Sequence, residues 1–128
     1  MKRSTRKWVE RAEEDWEVAV REARARKNPH YNLACNLAQQ CAEKYLKASL
    51  MEAGIRFKKT HDLVELLNQI LSVKPTWSTL QNDLSYLNTF AVDYRYPGVM
   101  ATRALARDAI KSCRNLRKMV RTSLGLPI

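Results

Sequence analysis

Histidine is almost missing from this chain of 128 residues, with only His30 and His61, so few side chains could move a proton near neutral pH. Cysteine is also sparse. Cys35, Cys41 and Cys113 form no CxxC pair and are odd in number, which argues against both a disulfide framework and a zinc site. Each falls on the apolar side of an expected helix, where a free thiol packs as a small hydrophobe. Three glycines and four prolines are all that interrupt an ordinary globular hydrophobic content. No apolar run reaches the roughly eighteen residues of a membrane span. The basic start, Met1 to Lys7, lacks the apolar stretch of a signal peptide, so a cytoplasmic location is expected. No segment alternates with a period of two, and no repeat or low-complexity tract is present. No metal or cofactor is expected.

What is present is positive charge and helical periodicity. The net charge is +10, yet residues 100–128 carry seven basic side chains against one acidic one, Asp108. Residues 28–99 are nearly balanced, with seven against six. An excess concentrated in the last quarter calls for an anionic partner or for simple solvation of that face.

Five segments carry a helical period, which predicts an all-α, antiparallel up-and-down bundle in a single domain over residues 1–128. The first spans about Thr5 to Lys27, with Trp8, Ala12, Trp16, Ala19 and Ala23 on one stripe, and stops at Asn28-Pro29. The second, Tyr31 to Ala53, turns many small residues inward and ends at Gly54, placed as a left-handed cap. Thr60 caps the third, His61 to Leu71, with Asp62 complementing the helix dipole. The fourth covers Thr76 to Val92 and the fifth Val99 to Leu124, before Gly125 and Pro127.

At 100° per residue, Arg103, Arg107, Lys111, Arg114, Arg117, Lys118 and Arg121 share a sector of about 120° on the fifth helix. Leu105, Ala109, Cys113, Leu116 and Val120 form the opposite, core face. The basic stripe suits phosphates, although a solvated face would look the same. Tyr94-Arg95-Tyr96-Pro97-Gly98 joins helices four and five. Pro97 forces Tyr96 to be extended and Gly98 permits a sharp turn. Arg95 then either bonds free carbonyls at the end of helix four or offers its planar fork to phosphate. Tyr94 and Tyr96 either stack on bases or pack in the bundle. His61 reads as a polar boundary residue of the first turn. Glu43 and Lys47, four apart, read with Lys44 as a surface or interface group.

Taken together, Asp15 on the tryptophan-bearing first helix, Gln39-Gln40-Cys41-Ala42-Glu43-Lys44-Tyr45-Leu46-Lys47-Ala48, Thr60-His61-Asp62-Leu63 and Arg95-Tyr96-Pro97 resemble the HEPN family. The resemblance covers nearly the whole chain. It implies a helical bundle, a homodimer and RNA or nucleotide binding, often with a minimal nucleotidyltransferase as toxin–antitoxin partner. Active relatives are metal-independent endoribonucleases, in which an arginine, here Arg95, works with a histidine across the dimer. The histidine is expected after four intervening residues, where this chain has Met100. Methionine cannot act as acid or base.

The expected function is therefore binding of RNA or nucleotide through Tyr94, Arg95, Tyr96, Arg103, Arg107, Lys111 and Arg114, with the ribonuclease motif degenerate. One alternative is an active endoribonuclease using Arg95, with His61 or a partner moving the proton. Another is a protein adaptor with a basic docking helix.

Overall fold

A computed structural model describes residues 1–91 and 100–128. The Tyr94–Gly98 link, the end expected for the fourth helix and the start expected for the fifth all lie outside those residues. Among the described residues there are five α-helices and no strand: α1 (Arg3–Arg24), α2 (Tyr31–Glu52), α3 (Leu63–Ile70), α4 (Gln81–Asn88) and α5 (Arg103–Ser123). A 3₁₀ stretch, Pro75–Leu80, leads directly into α4. The expected bundle is the observed one, with α3 and α4 shorter than their periodicity suggested.

α2 is the axis of the structure and packs against α1, α3, α4 and α5. Its sequence explains why. Ala34, Cys35, Ala38, Cys41, Ala42, Ala48 and Ser49 are all buried, and side chains this small let neighbouring helices approach closely from several directions. Tyr45, Leu46 and Leu50 fill the remaining volume and are fully buried. Truncating a leucine at such a site, Leu46→Ala for example, costs about 2–5 kcal/mol.

Helix ends follow local chemistry. α1 starts at Arg3 rather than Thr5, and Thr5 is buried, its Oγ1 donating to Glu52 Oε1 at 2.9 Å. The chain leaves α1 at Ala25 in an extended conformation and turns through Asn28 at φ +48°. α2 and α5 close in the same way. Gly54 and Gly125 stand at φ +71° and +73°, where an L side chain is strained. In each case the two amides after the cap return to carbonyls of the last turn: Gly54 N to Met51 O and Ile55 N to Leu50 O, then Gly125 N to Thr122 O and Leu126 N to Arg121 O.

Three expectations need correction. Asp62, not Thr60, caps α3, accepting from the amides of Val64 and Glu65 at 3.0 and 3.3 Å. Thr60 acts one step earlier, its Oγ1 accepting from Asp62 N at 3.1 Å. Leu105 is exposed and the buried face of α5 begins at Ala106, while the Leu105 carbonyl accepts from the Tyr86 hydroxyl at 3.0 Å. Glu43 and Lys47 are buried rather than superficial, because α2 has no solvent face there.

Candidate nucleic-acid interface

Thr102 caps α5, its hydroxyl accepting from Leu105 N at 3.2 Å, and the packing of α5 against α2 and α1 sets the rotation of the helix that follows. That rotation aims Arg103, Arg107, Lys111 and Arg114 at the end of α1. Between the two helices runs a groove of about 720 Å³, walled on one side by these four residues and on the other by Arg24 and Arg26. Val20, Ala23 and Ile110 supply apolar surface, and Tyr31 stands at one margin. Six cations line the groove, and among the described residues no carboxylate does. The four binding residues expected on α5 are thus brought together. Arg24, Arg26 and Tyr31 were not anticipated, because only the packing of the end of α1 and the start of α2 against α5 makes them neighbours.

Two further members of the basic stripe, Arg117 and Arg121, do something else, while Lys118 stays exposed. Arg117 and Arg121 are mostly buried, their side chains 12% and 13% exposed, and both turn to Glu13 on α1. Arg117 donates to both carboxylate oxygens, at 3.1 and 2.6 Å. Arg121 donates to Glu13 at 3.3 Å and to the Tyr45 hydroxyl at 3.0 Å, and that hydroxyl in turn donates to Glu13. Burial pushes the Glu13 carboxyl up, but the hydrogen bonds from Arg117 and Tyr45 and the two guanidinium charges outweigh it, leaving it below its ordinary value. Burial and then the Glu13 contact push the Tyr45 phenol up. Trp16 lies between Arg114 and Arg117, whose guanidinium carbons are 5.7 and 5.2 Å from its ring centre, within cation–π range. Glu13 thus draws Arg117 and Arg121 out of the open stripe and into the bundle.

Beyond Tyr31 a second cavity opens, of about 420 Å³, lined by Pro29, His30, Asn32, Leu33, Met100 and Ala101 together with Tyr31 itself. Met100 is 75% exposed. Its place is set by Asn32, whose Oδ1 accepts from Ala101 N at 2.5 Å and whose Nδ2 lies 4.0 Å from the Met100 sulfur. His30, which carried little signal in the sequence, shares this cavity with Met100.

His61 belongs to a separate cluster that shares no lining residue with either cavity. Its Nδ1 is 2.8 Å from Glu43 Oε1, and the opposite carboxylate oxygen accepts from Lys47 Nζ at 3.0 Å. Gln39 donates to the His61 carbonyl at 3.1 Å, tying the loop to α2. Lys47 also stands 5.6 Å from the Trp8 ring centre and 5.8 Å from that of Phe57. The His61 ring is 76% exposed, so it is a boundary residue held by a buried carboxylate.

Tyr94, Arg95 and Tyr96 lie outside the described residues. Among the described residues no three His, Cys, Asp or Glu side chains gather as a metal site. The cysteines are free and buried. Burial raises the Cys35 thiol to about 11 and pushes Cys41 well above its ordinary value, so neither offers a ready thiolate. No described helix is long and apolar enough to cross a membrane.

A small-residue axial helix packed against four others, with a groove on one flank lined by six cations and, among the described residues, no carboxylate, defines an all-helical bundle. The sequence matches the HEPN domain family over residues 5–123, and the chain belongs to that family. Its structure is similar to the crystal structure of TT1696 from Thermus thermophilus, with a TM-score of 0.80 and 21% identity over 92% of this chain and 96% of that one. It is also similar to ST0689, an archaeal HEPN homologue, with a TM-score of 0.74 and 29% identity over 96% of this chain and 98% of that one. No curated protein sequence matches the chain.

Proposed function

We propose that this HEPN-domain protein binds RNA or nucleotides without cutting RNA, and that it works in the cytoplasm as a homodimer beside a nucleotidyltransferase partner in a toxin–antitoxin-type module. One observation carries the binding reading: Arg24, Arg26, Arg103, Arg107, Lys111 and Arg114 face a single groove that no described carboxylate lines. Like charges this close repel unless anions or solvent lie among them, and phosphates meet that need. The loss of cleavage rests on Met100, an exposed thioether where the family's histidine is expected. General acid–base catalysis typically contributes about 10²–10⁴-fold, so its absence leaves little activity.

The test uses the purified chain and a labelled RNA across a salt series. Binding should weaken steeply as salt rises, by the counterion release that accompanies phosphate contacts, with the RNA recovered uncut. Salt-independent binding, or none, would sink the binding reading and favour an adaptor role for α5. Cleavage lost on Arg95→Ala would sink the degenerate one. Light scattering and co-purification with a neighbouring nucleotidyltransferase test the assembly.

A further inference from the structure

The groove and the cavity beside it differ sharply in character. The larger, of about 720 Å³, is lined by six cations, whereas the smaller, of about 420 Å³, is lined by no Lys, Arg, Asp or Glu among the described residues. They share one residue, Tyr31. The smaller one also carries two of the protein's exposed large apolar side chains, Leu33 and Met100. A ligand spanning both would lay anionic groups along the larger groove and an uncharged part against Tyr31, Leu33 and Met100.

We propose that the two cavities form one seat for single-stranded RNA, with the phosphates along α5 and one unpaired base held between Tyr31 and Met100. This rests on the RNA-binding reading above and specifies its substrate form. Arg103, Arg107 and Lys111 recur every four residues, about 6 Å along the helix axis, a step comparable with that between phosphates of an extended strand. A tyrosine ring stacks on any base, and a thioether packs favourably against an aromatic ring. Asn32 Oδ1 accepts from Ala101 N at 2.5 Å and so places the main chain that carries the exposed Met100 thioether at the edge of the seat. His30 lines the same cavity and places a polar ring beside the base edge. In a duplex both faces of each base are already stacked, so neither partner of a base pair can enter. Met100, in the place of a proton-transfer group, gives this chain a surface for holding a base.

The experiment measures fluorescence anisotropy of three labelled probes of equal length: a single-stranded RNA, an abasic sugar–phosphate strand and an RNA duplex. The native chain should bind the single strand about tenfold more tightly than the abasic strand. Tyr31→Ala and Met100→Ser should each bring the single strand down to the abasic level and leave abasic binding unchanged, while Tyr31→Phe keeps the preference. Met100 is exposed, so its substitution tests the seat even if Tyr31→Ala fails to fold. Equal affinity for the single and abasic strands, or for strand and duplex, overturns the base seat and leaves the phosphate groove standing. No binding to any probe overturns both.

Discussion

Arg117 on α5 holds Glu13 on α1 at two points, Nε to Oε2 at 3.1 Å and Nη2 to Oε1 at 2.6 Å, across 104 positions of sequence. Because Arg121 and the Tyr45 hydroxyl converge on the same carboxylate, one acid from α1 is shared by α2 and α5. The contact fixes how α5 is rotated, and that rotation decides which cations remain free for a ligand.

Replacing Glu13 with alanine should leave two guanidinium groups short of their acceptor in a largely buried place. Hydrogen bonds to charged groups contribute roughly 1.5–3 kcal/mol, so a loss of about 2 kcal/mol is expected. Chemical denaturation should show an unchanged m-value with a lower midpoint. An unchanged midpoint would mean that the network adds nothing to its own burial cost.

The same carboxylate predicts an acid limb of stability. The folded-state pKa of Glu13 is lowered, so its contribution is complete above the unfolded value of about 4.3 and is lost as pH falls through the lower folded value. The difference in stability between the native chain and Glu13→Gln should therefore be constant near neutrality and shrink below about pH 4–5. Glu52 is also lowered, by bonds from the Lys2 amide and the Thr5 hydroxyl, so a residual acid slope should survive in the variant. A gap that stays constant down to about pH 3, below the unfolded value, would assign the Glu13 effect to packing alone.

Asp62 supports two elements at once. Its Oδ1 accepts from Val64 N and Glu65 N and also from Asn88 Nδ2 at 2.9 Å, while Asn88 Oδ1 accepts from Leu63 N at 2.9 Å. Asp62→Ala should cost about 1–2 kcal/mol, the upper part of the range for losing a cap. Thr60→Ala should cost less, since its hydroxyl serves one amide outside the helix. A reversed order in thermal unfolding would restore Thr60 as the cap.

Much of the fold was legible because apolar periodicity reports burial directly. The small residues of α2 and the glycines at 54 and 125 stand where their chemistry requires. The cap of α3 was misplaced by two residues because threonine and aspartate offer similar acceptors, and only the tertiary bond to Asn88 separates them. The basic stripe was legible as an angle on a helix but not as a function. Charge on one face looks the same whether it meets water, RNA or Glu13, and Glu13 lies more than a hundred positions away. Tyr31 and Arg24 carry no motif. They enter the groove because α1 ends and α2 begins beside α5, a fact of packing rather than of pattern.

That division of the stripe gives a sharp contrast in mutants. Arg107→Ala and Lys111→Ala should each weaken RNA binding at every sequence and reduce the salt slope by about one, with stability changed by less than about 0.5 kcal/mol. Arg117→Ala should do the opposite, lowering the denaturation midpoint while leaving the salt slope of the folded protein near its native value. Should Arg117→Ala reduce the slope as much as Lys111→Ala does, the assignment of Arg117 to the bundle interior fails.

Met100→His asks whether proton transfer is the one thing missing. The position is exposed, so the substitution should change stability by less than about 0.5 kcal/mol and the chain should fold as before. If Arg95 keeps the geometry implied by the family, a histidine after four intervening residues restores an acid–base partner, and metal-independent RNA cleavage should rise by about 10²-fold or more over the native chain. Adding Arg95→Ala should remove the gain, and a chelator should not. A folded Met100→His protein that still leaves RNA uncut would mean that Arg95 has also lost its catalytic placement, and that the site survives in this chain only as a binding surface.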